Sequence, residues 1–515
     1  MAGSPDVSPG TVRSLIPARM DRLPWTGFHT RLVMSLGTAW VLDGLEITLA
    51  SSVAGVLTEG STLHLSSAAV GAIATVYLVG EVAGALLFGR MSDALGRRKL
   101  FMVTLGVYLI GSGLTAATSG ASAGWVAFLY LTRFVAGMGI GGEYAAINSA
   151  IDEMIPARSR GRVDIGVNGT YWAGSIIGTL ASLAFLNWIG ASLGWRLAFL
   201  VGPALAVVIL FIRRTLPESP RWQLTHGHAA EAESGIAAIE ATVVHDSGRP
   251  LPPVNQSRAI EVRPAKFTGY LTLLKLVFTS YWRRAVLGAT LMITQSFLYN
   301  AIFFTYTLVL TRFYGVSATS APLYLIAFAA GNLAGPLVLG RLYDTIGRKP
   351  MISSTYLASG VMLIISGYLF DQGVLDATTQ TIAWAVIFFF ASAGASSAYL
   401  TVSETFPVEI RAEAIAVFFA IAQVFGAIGP VLFGALIGTG NSRTQLFIGY
   451  AIGGGAMIVG GVVELLLGVP AERKELEQVA RPLTAVTATQ VPRATLPQAH
   501  YSPSSRPGGT GSAAA

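Results

Sequence analysis

Asp43 and Glu46 stand three residues apart inside one long apolar stretch, and Arg133 stands inside another. At that spacing on a helix two side chains share a face. A charge at the centre of a bilayer costs at least about 2.5–3.5 kcal/mol, so an ionisable group there is read as functional. Two carboxylates this close in a low dielectric cannot both stay ionised cheaply unless an arginine is near. Such a group can take a proton on one side of a membrane and release it on the other, with Arg133 as the alternating partner. Glu81 lies in a further apolar stretch and reads equally well as a functional charge of the same kind or as a packing or gate residue. Gln295 and Asn300 carry both donors and acceptors, which suits the hydroxyls of a solute. All six histidines fall outside the apolar stretches, there is no Cys, and no Gly-rich Lys loop for phosphate is present. Metal sites, thiol chemistry and ATP-driven pumping are therefore not expected, nor is any cofactor or enzymatic activity.

The elements that must position these groups follow from composition. The chain has 515 residues, 53% apolar and 12% charged. A soluble domain carries about 25% charged residues. Twelve apolar stretches recur, at 32–57, 68–89, 100–118, 123–147, 164–188, 195–213, 285–311, 319–340, 350–370, 379–403, 414–438 and 445–468. In hydrocarbon each backbone polar group must be satisfied within its own segment, so these are helices. Of 34 Lys and Arg, only Arg196, Arg312 and Arg443 fall beside the loops that follow odd-numbered stretches, and Arg133 is inside one. The other thirty share the opposite side with both termini. The positive-inside rule makes that side cytoplasmic. It also explains the net charge of +7 without nucleic acid as a partner. The expected plan is a cytoplasmic segment at 1–30 without a cleavable leader, a six-helix bundle at 31–213, a cytoplasmic central loop at 214–283, a second bundle at 284–470 and a cytoplasmic tail at 471–515. That tail is rich in Pro, Ser, Thr and Gly and is expected to be disordered.

The two bundles are repeats. Gly89, Arg90, Asp93, Gly96 and Arg97 match Gly340, Arg341, Asp344, Gly347 and Arg348 at a constant offset of 251. Glu153, Pro156 and Arg160 match Glu404, Pro407 and Arg411 at the same offset. Parallel halves of one ancestry place a substrate site between them, near the bilayer midplane. Asp93 and Asp344 suit helix amino ends, where the macrodipole favours an anion by about 0.3–1 kcal/mol. Glu153 and Glu404 suit charge-assisted bonds from Arg90, Arg97, Arg160, Arg348 and Arg411. That set reads as a gate that clamps the halves together and breaks when they rock apart.

At these residues the sequence resembles the major facilitator superfamily, in particular its sugar-porter-like and metabolite–proton symporter branches. The loops at 89–98 and 340–349 carry the superfamily's signature. Pro217-Glu218-Ser219-Pro220-Arg221-Trp222 and Glu404-Thr405-Phe406-Pro407-Val408-Glu409-Ile410-Arg411 look like sugar-porter motifs, and Gly139-Ile140-Gly141-Gly142-Glu143-Tyr144 looks like an organic-acid symporter motif. The resemblance implies an all-α fold of twelve transmembrane helices in two pseudo-repeats. It implies proton coupling through an acid of span 1 and an arginine of span 4, which Asp43, Glu46 and Arg133 match, with Glu where a second Asp is usual. It also implies a solute site at Gln295, Tyr299 and Asn300, with Tyr399 where sugar porters have a stacking Trp and Asn168 beside the position of an expected Gln. Leu298 and Thr294 depart from that pattern. The expected protein is a monomeric, proton-coupled symporter of the cytoplasmic membrane. It would import a sugar, polyol or organic acid by alternating access, with protons, solute and lipid as its partners. The rivals are a proton-driven exporter or facilitator, and a nutrient sensor on the same fold.

Overall fold

A computed structural model describes residues 11–53, 56–65, 67–213, 216–263, 270–317, 321–438 and 442–485. Twelve long helices or helix pairs dominate it. Spans 1 to 6 are Gly27–Val53, Ser67–Leu95, Arg97–Thr115, Ala123–Met154, the pair Arg160–Gly169 and Tyr171–Trp188, and Ala191–Arg213. Spans 7 to 12 are Trp282–Tyr314, Ala321–Thr345, Arg348–Asp371, Ala377–Thr405, the pair Arg411–Gly426 and Ile428–Gly438, and Arg443–Leu467. Ten of these are long and apolar enough to cross a membrane. Spans 2 and 3 complete the set, packed against span 4. Large apolar side chains such as Met34, Val431 and Leu466 point outward, as lipid contact requires.

Local chemistry explains the helix ends. Span 10 starts with a capping box, in which Asp376 accepts from the Thr379 amide at 2.7 Å. Spans 3 and 9 start at Gly96 and Gly347, both with positive φ (92° and 124°), a conformation that residues with a Cβ avoid. These glycines are repeat mates, so the same tight turn recurs in both halves.

The halves pack alike. Span 1 lies on span 5, span 2 on span 4, span 8 on span 10, and span 9 on span 12. Across the boundary, span 2 meets span 11 and span 5 meets span 8. These two contacts are equivalent under the repeat, so the halves are related by a pseudo-two-fold axis.

Both described chain ends lie on one face, called here the basic face, and there the structure corrects the expected plan. The central loop at 214–283 contains the helices Pro220–Thr225, Ala229–Ser247 and Tyr270–Thr279 and the strand Ile260–Val262. Ala229–Ser247 is amphipathic, burying Ala232, Ile236, Ile239 and Val243 along one stripe. The segment at 1–30 contributes Val12–Ser14, antiparallel to Ile260–Val262, and the helix Ile16–Asp21. Arg19 and Arg22 of that region pair with Glu240 at 2.6 and 2.5 Å. The expected disordered tail is folded at 471–485. Leu476 and Val479 are buried, Glu475 pairs with Arg258, and Glu477 pairs with Arg221. Composition misjudged this stretch because its few apolar residues are buried by partners far away in the chain. Residues 486–515 lie outside the described residues.

Candidate functional site

A cavity of about 140 Å³ lies between the halves. Spans 1, 2, 4 and 5 wall it on one side and spans 7, 10 and 11 on the other. All five residues expected to hold solute line it: Asn168, Gln295, Tyr299, Asn300 and Tyr399. Tyr299 donates to Asn332 Oδ1 at 2.9 Å, which fixes its ring against the cavity. Asn300 donates to Ser296 Oγ at 3.2 Å, and Ser296 donates to Gln423 Oε1 at 2.9 Å. Asn168 donates to Asn148 Oδ1 at 3.2 Å and to the carbonyl of Asp164 at 2.7 Å. The rest of the wall is largely aromatic. Trp40 lies 4.5 Å from Tyr144 and 5.3 Å from Tyr399, ring centre to ring centre. Tyr144 lies 4.8 Å from Phe419, and Trp172 lies 5.5 Å from Phe303. The Trp40–Tyr399 and Tyr144–Phe419 contacts join the two halves on the basic-face side of the cavity.

The three expected coupling residues separate into two clusters. Asp43 is on the cavity wall and accepts from Tyr77 at 3.2 Å and from Tyr144. Glu46 and Arg133 lie behind the wall, paired at 2.5 Å and both buried. Glu46 also accepts from Ser112 at 2.8 Å and from Tyr108 at 2.9 Å. Only a glycine at 202 leaves room for that Tyr108 hydroxyl, since a Cβ there would lie 1.9 Å from it. Tyr77 connects the clusters, because the Arg133 guanidinium sits 4.9 Å over its ring while its hydroxyl reaches Asp43.

The expected gate residues gather on the basic face. Arg97 pairs with Glu153 at 2.7 Å. Arg348 pairs with Asp344 at 2.8 Å and with Glu404 at 2.9 Å. Among these described residues, charged groups reach across between the halves at three places. Arg160 reaches Glu404 at 3.4 Å, Arg411 reaches Glu153 at 3.7 Å, and Asp344 accepts from the backbone of Gly161 and Arg162 at the amino end of span 5. Arg90 departs from expectation: it is exposed at the end of span 2, outside this buried network, so solvent screens it. The Asp93 side chain lies outside the described residues.

Sequence reading passed over other members of this face. Asp21 accepts from Arg221 at 2.7 Å. Burial disfavours the charge on Arg221, yet Glu477, Asp21 and Glu153 outweigh it and hold the guanidinium above its usual value. His226 stacks on Trp222 at 4.5 Å, and burial pushes it below the usual imidazole value.

Trp40, Glu81, Tyr144, Phe419 and Gln423 also line the cavity and were not assigned to it from sequence. The repeat held a usable signal for two of them. Phe419 is the mate of Asn168, and Gln423 is the mate of Trp172, at the offset of 251.

Residues 44–480 match the sequence profile of a family described as "Sugar (and other) transporter". The niacin transporter NiaP of Acinetobacter baylyi is 24% identical over 90% of this chain and 99% of its own length. Plastidic glucose transporter 4 of Arabidopsis thaliana is 26% identical over 93% of this chain and 84% of its own. Among solved structures, the proton:xylose symporter XylE bound to 6-bromo-6-deoxy-D-glucose superposes with a TM-score of 0.71, at 20% identity, over 87% of this chain and 98% of the other.

Proposed function

Because the chain belongs to the sugar (and other) transporter family of the major facilitator superfamily, we propose that it is a proton-coupled symporter. It imports a small, uncharged, ring-containing solute across the cytoplasmic membrane, as a monomer, by alternating access. The observation that carries this reading is Asp43, a carboxyl on the cavity wall within one tyrosine of the buried Glu46–Arg133 pair. A proton taken there changes the charge of the solute's own surroundings, which is what coupling needs. Among the described residues no Lys, Arg or His lines the cavity. That favours a neutral solute over an organic anion. The aromatic wall suits a ring, and Gln295 and Asn300 suit its polar substituents. The names of the relatives, which carry niacin or glucose, are in keeping with a compact ring compound.

The basic face is cytoplasmic on this reading, because the sequence assigns thirty of the 34 Lys and Arg to the side of both termini. Its cross-half ion pairs are the gate that must break for release. An exporter of the kind with a Gly-Pro-rich span 5 is disfavoured by the absence of Pro from 164–188.

The test is uptake in protein-containing vesicles with a pH dye inside. Adding the right neutral solute should acidify the lumen. Asp43→Asn should abolish uphill accumulation and spare downhill exchange. Equal accumulation by wild type and Asp43→Asn would overturn the coupling assignment.

A further inference from the structure

Asp43 is not the only carboxyl on the cavity wall. Glu81 of span 2 lies against it, close enough for the two to share a hydrogen bond. Both residues are 1% exposed. Glu81 Oε2 has a long contact of 3.4 Å from Gln423, while Glu81 Oε1 is buried with no donor among the described residues. Leaving such an oxygen unpaired costs about 1–3 kcal/mol, and more when it is charged. Among the described residues, the pair is hydrogen-bonded by Tyr77 and Tyr144, which donate to Asp43, and by Gln423, and Tyr171 and Tyr399 line the same wall. Arg133 is engaged by Glu46 behind the wall and does not line the cavity. Two carboxyls in contact must hold a proton between them or be bridged by a cation. The neighbouring wall presents π faces from Trp40, Tyr144 and Tyr399, which attract cations.

The geometry points to a cation subsite, in which Asp43 and Glu81, beside Trp40 and Tyr144, take a small flat organic monocation, of the pyridinium or guanidinium kind, in place of the shared proton. This rests on reading the cavity as the transport site. The charges balance. The singly protonated pair carries one negative charge. The cation-bound pair has two ionised carboxylates and one positive guest, so its net charge is the same, and the displaced proton leaves to solvent. A neutral solute leaves the proton in place and can travel with it. An organic cation exchanges against it, so the two solute classes would couple to protons in opposite senses.

The experiment is calorimetric titration of the purified full-length protein with 1-methylpyridinium, benzamide and benzoate, in two buffers of different ionisation enthalpy. Methylpyridinium should bind with release of about one proton, benzamide without release, and benzoate at least about tenfold more weakly than the cation. Glu81→Gln and Asp43→Asn, each checked for folding by thermal unfolding, should lower the ratio of cation to benzamide affinity by at least about tenfold. Benzoate binding as tightly as the cation, binding of the cation without proton release, or an unchanged ratio in a folded variant would overturn the subsite. Cation binding with proton release in a protein that moves no solute in vesicles would instead sink the transport reading and leave the subsite standing.

Discussion

The carboxylate of Asp344, at the end of span 8, caps the amino end of span 5 at Arg162, 2.8 Å from its backbone nitrogen and across the boundary between the two halves. It also accepts from the Gly161 amide at 3.1 Å and holds Arg348 at 2.8 Å. One acid thus joins a helix dipole, an ion-pair network and the interface between the halves, which parts in the proposed transport cycle.

Asp344→Asn should therefore loosen the basic face without unfolding the bundle. It weakens charge-assisted bonds worth about 1.5–3 kcal/mol each to a charged group. The chain has no native cysteine, so a single Ser396→Cys on the cavity wall reports access. A membrane-impermeant maleimide applied to the basic face should label that cysteine faster in the Asp344→Asn background. Identical labelling rates in the two backgrounds would show that this contact does not hold the face closed.

The Glu46–Arg133 pair is fully enclosed, and removing one member strands the other. Arg133→Ala should cost about 3–5 kcal/mol of stability, as for other broken buried pairs. Replacing both, as in Glu46→Gln with Arg133→Gln, should recover much of that loss while leaving uphill transport impaired. Unfolding midpoints of the three variants decide it: a double variant no more stable than Arg133→Ala would mean that the pair is not the source of the loss.

Tyr299 presents its ring to the cavity but gives its hydroxyl to the buried Asn332. Tyr299→Phe should strand Asn332 Oδ1 and lower stability by about 1–3 kcal/mol. KM should stay within about twofold of wild type, because the lost bond is not made to solute. A large rise in KM with unchanged stability would reassign the hydroxyl to the solute.

The contact of Ile16–Asp21 with Ala229–Ser247 should depend on pH through Glu240. Burial raises that carboxyl, but Arg19 and Arg22 outweigh it and hold it below its usual value. A depressed folded value means that the contact contributes fully above the unfolded value, about 4.3, and is lost as pH falls through the folded one. A nitroxide at position 14 should be immobile at neutral pH and gain mobility in acid below that range. Glu240→Gln should be mobile already at neutral pH. A label whose mobility does not change with pH in either protein would exclude Glu240 as the fastening group.

The sequence by itself determined the helical spans, the repeat and most of the charged network on the basic face. Each is written locally: about twenty apolar residues make a span, and a constant offset of 251 makes a repeat. Asn168, Gln295, Tyr299, Asn300 and Tyr399 were also legible, because polar and aromatic groups inside a span must face something other than lipid. Tertiary structure alone decided which face each charge takes. Asp43 and Glu46 share a helix face at three-residue spacing, yet a small rotation sends one to the cavity and the other to Arg133 behind it. Glu81 joined the cavity because span 2 packs closely against span 4 beside span 1, a contact that no single segment encodes. The order in 471–485 was likewise hidden, since Glu475 and Glu477 are fixed by Arg258 and Arg221, more than two hundred residues earlier. Local pattern sets which segments are buried in lipid, whereas long-range packing sets which buried groups meet.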